Sequence, residues 1–387
     1  MSLFQGADFF CILIVLLIPA LVLGVREKNR KWYILITSII IDALAIGRDL
    51  RMWIFFLIFL AWESLLVRRY LKVRSERGRD AKWYRIYLCA AIIPLVLGKI
   101  SEVVPMSVFQ ILGISYLTFK ACQVIIETYD GIIKEISVSD FLTFLLFFPA
   151  ISSGPIDRSR RFDEDLHERI DKNRYLELVG DGLWKLLLGV AYKFAFAAAA
   201  YHALTYFEES YTFTAQLAYA YSYGIYMFFD FAGYSLMAVG VSYMLGIRIP
   251  DNFNKPFLAV DMLDFWNRWH MTLSFWFKDF IFTRFVMKAL KGKWFKSKLQ
   301  AASYGFLVDM MVMGVWHGLK SYYVLYGLYH GLLLMLTEVW QKKSKFHKKH
   351  KKERWYKVVS WAITMQLVMF GFLLFSGHLT AGFGISF

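Results

Sequence analysis

The sequence predicts an all-α integral membrane protein, and three observations favour that class. Of the 387 residues, 58% are hydrophobic and only 19% are charged. The hydrophobic residues form long runs, and the charged residues gather in the segments between them. A helix needs about 20 apolar residues to cross a hydrocarbon core of about 30 Å. This pattern excludes an ordinary soluble domain.

The first apolar run, "ADFFCILIVLLIPALVLGV" (7–25), predicts a transmembrane helix that stays in the protein. A signal peptide is not favoured, because the basic cluster follows the run instead of preceding it and no small-residue cleavage site is evident. Nine further runs bring the expected number of transmembrane helices to about 10–11. This number is uncertain by one or two helices, because the run 215–245 contains "FDFAGYS" and is compatible with a hairpin. These runs are 32–46, 52–67, 86–97, 108–126, 182–204, 215–245, 301–316, 322–339 and 358–374.

Several of these runs are short for a membrane span. A run of about 15 residues gives about 22 Å of helix at about 1.5 Å per residue. Short spans thin the bilayer around them or surround a water-filled cavity. We therefore expect the helices to form a ring around a thinned centre.

The basic segments predict the orientation in the membrane. The most basic ones are "REKNRK" (26–31), 68–85 and 342–357, and with these spans all three fall on one side. Lys/Arg-rich loops stay in the cytoplasm, which places the N-terminus outside. The net charge of +15 lies mostly in these three segments, which form a basic collar. Attraction to anionic lipid explains the collar. Binding of an acidic cytoplasmic partner is an additional interpretation, and nucleic acid is not expected as a partner.

We expect residues 1–387 to form a single polytopic membrane domain that contains one unusual region. Residues 250–297 mix Trp and Phe with charged residues every few positions, which is typical of amphipathic interfacial or re-entrant helices. The charge pattern places this region on the cytoplasmic side. The cysteines, Cys11, Cys89 and Cys122, have neither zinc-site spacing nor the even count of a disulfide framework.

Three histidines are the candidates for chemistry: His270 in the 250–297 region, and His317 and His330 in "GVWHGLKSYYVLYGLYHG" (314–331). A shared metal is not expected, because 13 residues on one helix would turn His317 and His330 apart by roughly 220°. An ionisable group inside a membrane protein is by default a functional hypothesis. His317 is either a general base or a histidine hydrogen-bonded within a bundle. No nucleophilic motif is present, so a substrate hydroxyl would have to attack.

Four segments in the second half of the chain together resemble the membrane-bound O-acyltransferases, in the order of that family. They are 147–162 ("FFPAISSGPIDRSRRF"), 228–257, 264–286 and 313–331 ("MGVWHGLKSYYVLYGLYHG"). "NKPFLAVDMLDFWNRWH" and "YYVLYGLYHG" are most similar to the type found in Gram-positive systems that attach D-alanine to teichoic acids. The alginate O-acetyltransferase type typically has "GYSDMAIG" and "RRWH", where this chain has Leu236 and Asn267.

The resemblance implies a site and partners. His317 matches the catalytic histidine of the family, and His270 matches its second characteristic position. The implied donor is D-alanine, thioester-linked to the phosphopantetheine arm of an acidic carrier protein, with no cofactor or metal held by the chain itself. The implied acceptor path leads to teichoic acid or a lipid, helped by a membrane-anchored partner, in the cell membrane. Six residues are expected to dock the carrier: Phe282, Arg284, Phe285, Val286, Lys288 and Lys291.

Two other functions remain open at this point. One is an O-acetyltransferase that acts on an extracellular polysaccharide. The other is a non-enzymatic channel or flippase, which would carry ionisable residues along several spans. The small number of polar groups inside the predicted spans argues against transport as the main activity.

Overall fold

The computed structural model describes residues 1–101, 112–210 and 212–379, and in these ranges it contains helices and no strand. Short 3₁₀ turns cover Phe148–Ala150 and Pro256–Leu258, and π-helical turns cover Tyr192–Phe196 and Lys278–Phe282. The α-helices are α1 (Gly6–Val25), α2 (Lys31–Ile46), α3 (Leu50–Arg77), α4 (Ala81–Ser101), α5 (Ile114–Asp130), α6 (Val138–Leu146), α7 (Ser159–His167), α8 (Lys172–Ala191), α9 (Ala197–Phe207), α10 (Phe213–Met244), α11 (Met262–Trp266), α12 (Met271–Phe277), α13 (Thr283–Lys291), α14 (Lys298–His317), α15 (Ser321–Lys343), α16 (Lys345–His350) and α17 (Arg354–Phe375). The expected all-α class is confirmed.

Within the described ranges, six helical segments are long and apolar enough to cross a membrane. They are α1, α3, α4, the continuous stretch Lys172–Phe207, α10 and α17. Six of the ten predicted runs correspond to them. The run 215–245 lies in a single 32-residue helix, so the hairpin alternative for it was wrong.

The other four predicted runs also coincide with helices, although these fall short of the same length or hydropathy. Helices α2 and α5 have 16 and 17 residues. The first positions of the run 108–126, residues 108–111, lie outside the described ranges. Helices α14 and α15 have 20 and 23 residues but carry more polar side chains. Their crossing of the bilayer, and the ring around a thinned centre, stay predictions.

The helices group into two compact units, residues 1–190 with 233–250 and residues 191–232 with 251–387. The single domain expected over 1–387 stays a prediction. In the first unit Tyr175 is completely buried, and its hydroxyl donates to the backbone oxygens of Ala20 at 3.2 Å and Met244 at 2.7 Å. One buried side chain thus ties α8 to α1 and α10.

In the second unit, α14 and α15 pack backbone to backbone because glycine occupies both surfaces. A Cβ atom on Gly314 would lie 2.5 Å from the Tyr323 carbonyl oxygen, and one on Gly327 would lie 2.5 Å from the Met310 carbonyl oxygen. Neither distance is tolerable for a carbon atom. This close pair fixes the position of the residues at the end of α14.

Of the region 250–297, all residues after Pro250 lie in the second unit, where they form short helices. Asp261 caps α11 by accepting from the Asp264 backbone N–H at 2.9 Å, and Ser297 caps α14 in the same way through Gln300 at 3.2 Å. Between the caps, α12, a π-helical turn and α13 follow one another without a break. The side of the membrane on which this region lies stays a prediction.

Candidate active site

The turn that carries His270 is held in an unusual backbone conformation. His270 has φ +44° and ψ +50°, the left-handed region that non-glycine residues rarely adopt. Buried Asn252 holds the next two residues: its carbonyl accepts from the Met271 N–H at 2.8 Å, and its side-chain oxygen accepts from the Thr272 hydroxyl at 2.5 Å. Strain of this kind persists where surrounding contacts impose it, and it clusters at functional sites.

The ring of Trp269 anchors the same turn from its other side. It stacks on Phe265 with centroids 5.7 Å apart, and it contacts Phe253 at 5.0 Å and Phe372 at 4.9 Å. Ring packing thus holds Trp269, the residue directly before His270.

The imidazole of His270 is 6% exposed and lies against the edge of Phe231, 4.6 Å between centroids. Its Nε2 atom is buried and has no hydrogen-bond partner among the described residues. Burial, and to a lesser extent the charge of nearby His317, lower the pKa of His270 to about 3. His270 is therefore neutral at physiological pH, and a buried nitrogen without a partner is typical of a site that receives a ligand.

His317 is the last residue of α14, and Gly318 ends the helix in an extended conformation. Its ring is half-buried among aromatic side chains, with centroid distances of 4.5 Å to Trp316, 4.9 Å to Phe375 and 5.9 Å to Tyr323. The structure brings His317 and His270 close enough to interact electrostatically. Of the two imidazoles, that of His270 is buried and that of His317 is half-buried.

His330 lies on α15 and has a different environment from His317. It is 1% exposed, and its Nδ1 accepts from the Trp266 indole N–H at 3.3 Å. Gly371 leaves room for the ring, because a Cβ there would lie 2.4 Å from His330 Nε2. The ring of Tyr326 lies near both imidazoles, with its centroid 4.4 Å from that of His330 and 6.2 Å from that of His317. Helix α14 ends at His317 and α15 begins at Ser321, so His317 and His330 lie on different helices.

A cavity of about 110 Å³ lies in the same unit, and its lining includes residues that sequence reasoning missed. Asp309, Asn267 and Trp266 contribute polar groups, and the Asp309 carboxyl is buried. Asp309 is the single acidic residue in the apolar run of α14. That isolation was a signal available from the sequence, since an ionisable group in such a run is a functional hypothesis by default.

The six predicted docking residues lie on α13 and the π-helical turn before it. The rings of Phe282 and Phe306 have their centroids 4.5 Å apart, and Val286 packs against α14 at Gly305. Both Phe282 and Val286 therefore pack inward. Lys288 and Lys291 are exposed. Phe285 and Arg284 are half-buried. The exposed apolar residues of this helix are Met287 (65%) and Leu290 (39%), which were not among the six.

One cluster of potential metal ligands occurs among the described residues, and it lies in the first unit. His167 is 3.4 Å from the Asp140 carboxylate and 3.3 Å from that of Asp163. The Lys31 ammonium lies 2.7 Å from Asp140 and already neutralises that carboxylate. The cluster is an ion-pair network, and it does not include His270 or His317.

A profile of the membrane-bound O-acyltransferase family matches residues 38–376. The chain belongs to this family. The acyltransferase is 42% identical over 384 residues to the teichoic acid D-alanyltransferase of Bacillus subtilis (strain 168), covering 95% of this chain and 96% of the relative. It is 37% identical over 395 residues to the teichoic acid D-alanyltransferase of Streptococcus thermophilus, covering 97% and 95%. A probable alginate O-acetylase of Pseudomonas syringae is 28% identical over 270 residues, covering 68% of this chain and 48% of the relative.

The acyltransferase is therefore an enzyme and a multi-pass membrane protein, and the alternative of a non-enzymatic channel or flippase is set aside. The family profile covers both candidate histidines and the helices that hold them. An accessible imidazole beside a neutral buried one suits proton transfer from a hydroxyl. The geometry is compatible with acyl transfer without a nucleophile supplied by the protein.

Proposed function

We propose that this acyltransferase moves D-alanine from a carrier-protein thioester to a hydroxyl group of teichoic acid or of a lipid acceptor. The main support is the pair formed by His317, half-exposed at the end of α14, and His270, buried with an unpartnered Nε2. Two teichoic acid D-alanyltransferases are 42% and 37% identical to the chain over nearly its whole length, and this supports the choice of D-alanine and teichoic acid.

The reaction needs one base. His317 takes the proton of the acceptor hydroxyl, and the oxygen attacks the carbonyl carbon of the thioester. The carbon–sulfur bond breaks, and the proton held by His317 passes to the leaving sulfur of the phosphopantetheine arm. A thiolate leaves readily, so no second acid is required. Neutral His270 positions the thioester through Nε2 and does not exchange a proton.

The carrier docks on the exposed surface of α13. Lys288 and Lys291 attract the acidic carrier, and Met287 and Leu290 supply apolar contact beside them. Phe282 and Val286 support the helix from its inner side by packing against α14. Phe285 and Arg284 lie between these two groups. A membrane-anchored partner and the acceptor approach from the opposite side of the membrane.

The donor distinguishes this proposal from the alginate type of O-acetyltransferase. The test offers the purified protein two carrier thioesters, D-alanyl and acetyl, and measures release of carrier thiol in the presence of lipoteichoic acid. We expect D-alanyl release to be at least about tenfold faster. Equal or faster release from the acetyl carrier would assign the chain to polysaccharide acetylation.

A further inference from the structure

A groove of about 1200 Å³ runs between α15 and α17 and is closed at one end by α16. Its walls are apolar along most of their length, and several wall residues are exposed, including Leu336 (59%) and Ile363 (56%). The groove includes neither His270 nor His317. The acyl-transfer chemistry therefore leaves it without a role.

The closed end of the groove is basic. Lys343, Lys351 and Lys357 line it, all three are exposed, and no carboxylate among the described residues forms an ion pair with them. The one acidic lining residue, Asp261, accepts from the Gln341 side chain at 2.9 Å and caps α11. The three lysines outnumber this one carboxylate, so the lining carries a net positive charge.

Aromatic residues with polar edges surround the lysines. The Trp340 indole N–H donates to the Tyr356 hydroxyl at 3.1 Å, and His347 Nδ1 lies 2.9 Å from the same hydroxyl. Trp355 completes this rim. Trp and Tyr concentrate where a membrane meets water, and basic pockets between helices at that level bind anionic lipid headgroups.

The length of the groove fits one leaflet. From Leu333 to Lys343 the helix rises about 15 Å at about 1.5 Å per residue. Half of a hydrocarbon core of about 30 Å is also about 15 Å. An acyl chain with its headgroup at the lysines would lie along the apolar walls to their full length.

We propose that this groove is a binding site for an anionic phospholipid of one membrane leaflet. The phosphate lies at Lys343, Lys351 and Lys357, and the acyl chains lie along Leu336 and Ile363. The proposal is independent of the D-alanyl transfer proposed above.

The two helices that form the groove also contribute residues next to the candidate site. Helix α15 carries His330, and α17 carries Gly371 and Phe375, which contact His330 and His317. A lipid bound between α15 and α17 joins the helices that enclose the site. We therefore expect the lipid to stabilise this part of the protein.

The test uses the full-length protein in neutral detergent and measures binding of phosphatidylglycerol and phosphatidylcholine by native mass spectrometry. Wild-type protein should bind phosphatidylglycerol at least about tenfold more tightly. The combined variant Lys343→Gln, Lys351→Gln, Lys357→Gln should lose this preference. The matched variant Lys345→Gln, Lys348→Gln, Lys349→Gln removes equal charge from the same segment outside the groove and should keep it. Both variants are first checked for monodisperse elution.

Three outcomes would overturn the proposal. They are no preference for phosphatidylglycerol in the wild type, equal loss of preference in both triple variants, and undiminished binding when Ser360→Trp fills the apolar wall. A photocrosslinker at position 363 in native membranes checks the occupant separately. A lipid adduct supports the proposal, whereas a protein adduct would show that the groove binds a helix of a partner protein.

Discussion

At the scale of single residues, three imidazoles lie in different environments. His270 is buried, strained and neutral, His330 is buried and held by Trp266, and His317 alone is half-exposed. Burial opposes charge on an imidazole because the ion loses its hydration. Of the three, His317 is the one whose ring is partly accessible.

The lowered pKa of His270 predicts a pH-dependent stability. The pKa is about 3 when folded and about 6.5 when unfolded, because burial and then His317 disfavour the charged ring. Below pH 6.5 the unfolded state binds the proton and the folded state does not, so stability falls as pH falls, by up to about 1.4 kcal/mol per pH unit. The thermal midpoint of wild type should therefore fall between pH 7.5 and 5 by more than that of His270→Gln.

The control for this measurement is His202→Gln, which removes an exposed imidazole. It should keep the full wild-type decrease between the two pH values. Parallel decreases in wild type and in His270→Gln would show that His270 protonates in the folded state, and the neutral role assigned to it would then be wrong.

At the scale of helices, α13 shows which surface residues the sequence could identify. The sequence placed the six docking residues in a region of amphipathic helices, but it could not tell which neighbour each would contact. Gly305 lets α14 approach Phe282 and Val286, and that approach leaves Met287 and Leu290 on the outside. The inward and outward faces depend on tertiary packing, which one sequence does not display.

Docking of an acidic carrier on α13 predicts a specific kinetic change. Lys288→Gln with Lys291→Gln should raise the KM for the carrier several-fold and weaken its salt dependence, with little change in kcat, because surface charges act on encounter. The measurement is the initial transfer rate against carrier concentration at two ionic strengths. Lys293→Gln with Lys296→Gln, just beyond the helix, is the matched control. An equal effect in the control, or a loss confined to kcat, would contradict docking at α13.

At the scale of the whole molecule, much of the account was available from the sequence. Apolar run length located the six helical segments that are long and apolar enough to cross a membrane, and His317 stood out because it is an ionisable residue in an apolar segment. Three features could not be predicted. They are the single helix formed by the run 215–245, the left-handed turn at His270 and the contact of Tyr326 with two histidines. Each depends on which distant segments pack together, and hydrophobic periodicity carries no such information.

The orientation predicted from the basic segments is testable on intact cells. Exposed Cys11 and Cys89 are first replaced by serine, since Cys122 is buried. A cysteine at position 209 should then react with a membrane-impermeant maleimide, because the predicted orientation places the acidic residues Glu208 and Glu209 outside. A cysteine at position 348 should react only after the membrane is permeabilised. The reverse labelling pattern would invert the topology and move the carrier dock to the wrong side.

The central claim is that His317 is the base for acyl transfer. The most direct measurement is the rate of labelled D-alanine transfer from carrier to lipoteichoic acid by His317→Gln, reconstituted beside wild type and His202→Gln at equal protein abundance. We expect a loss of at least about 100-fold in His317→Gln, the lower end of what a general base contributes, and none in His202→Gln. A correctly inserted His317→Gln protein that transfers D-alanine at near wild-type rate would contradict the account.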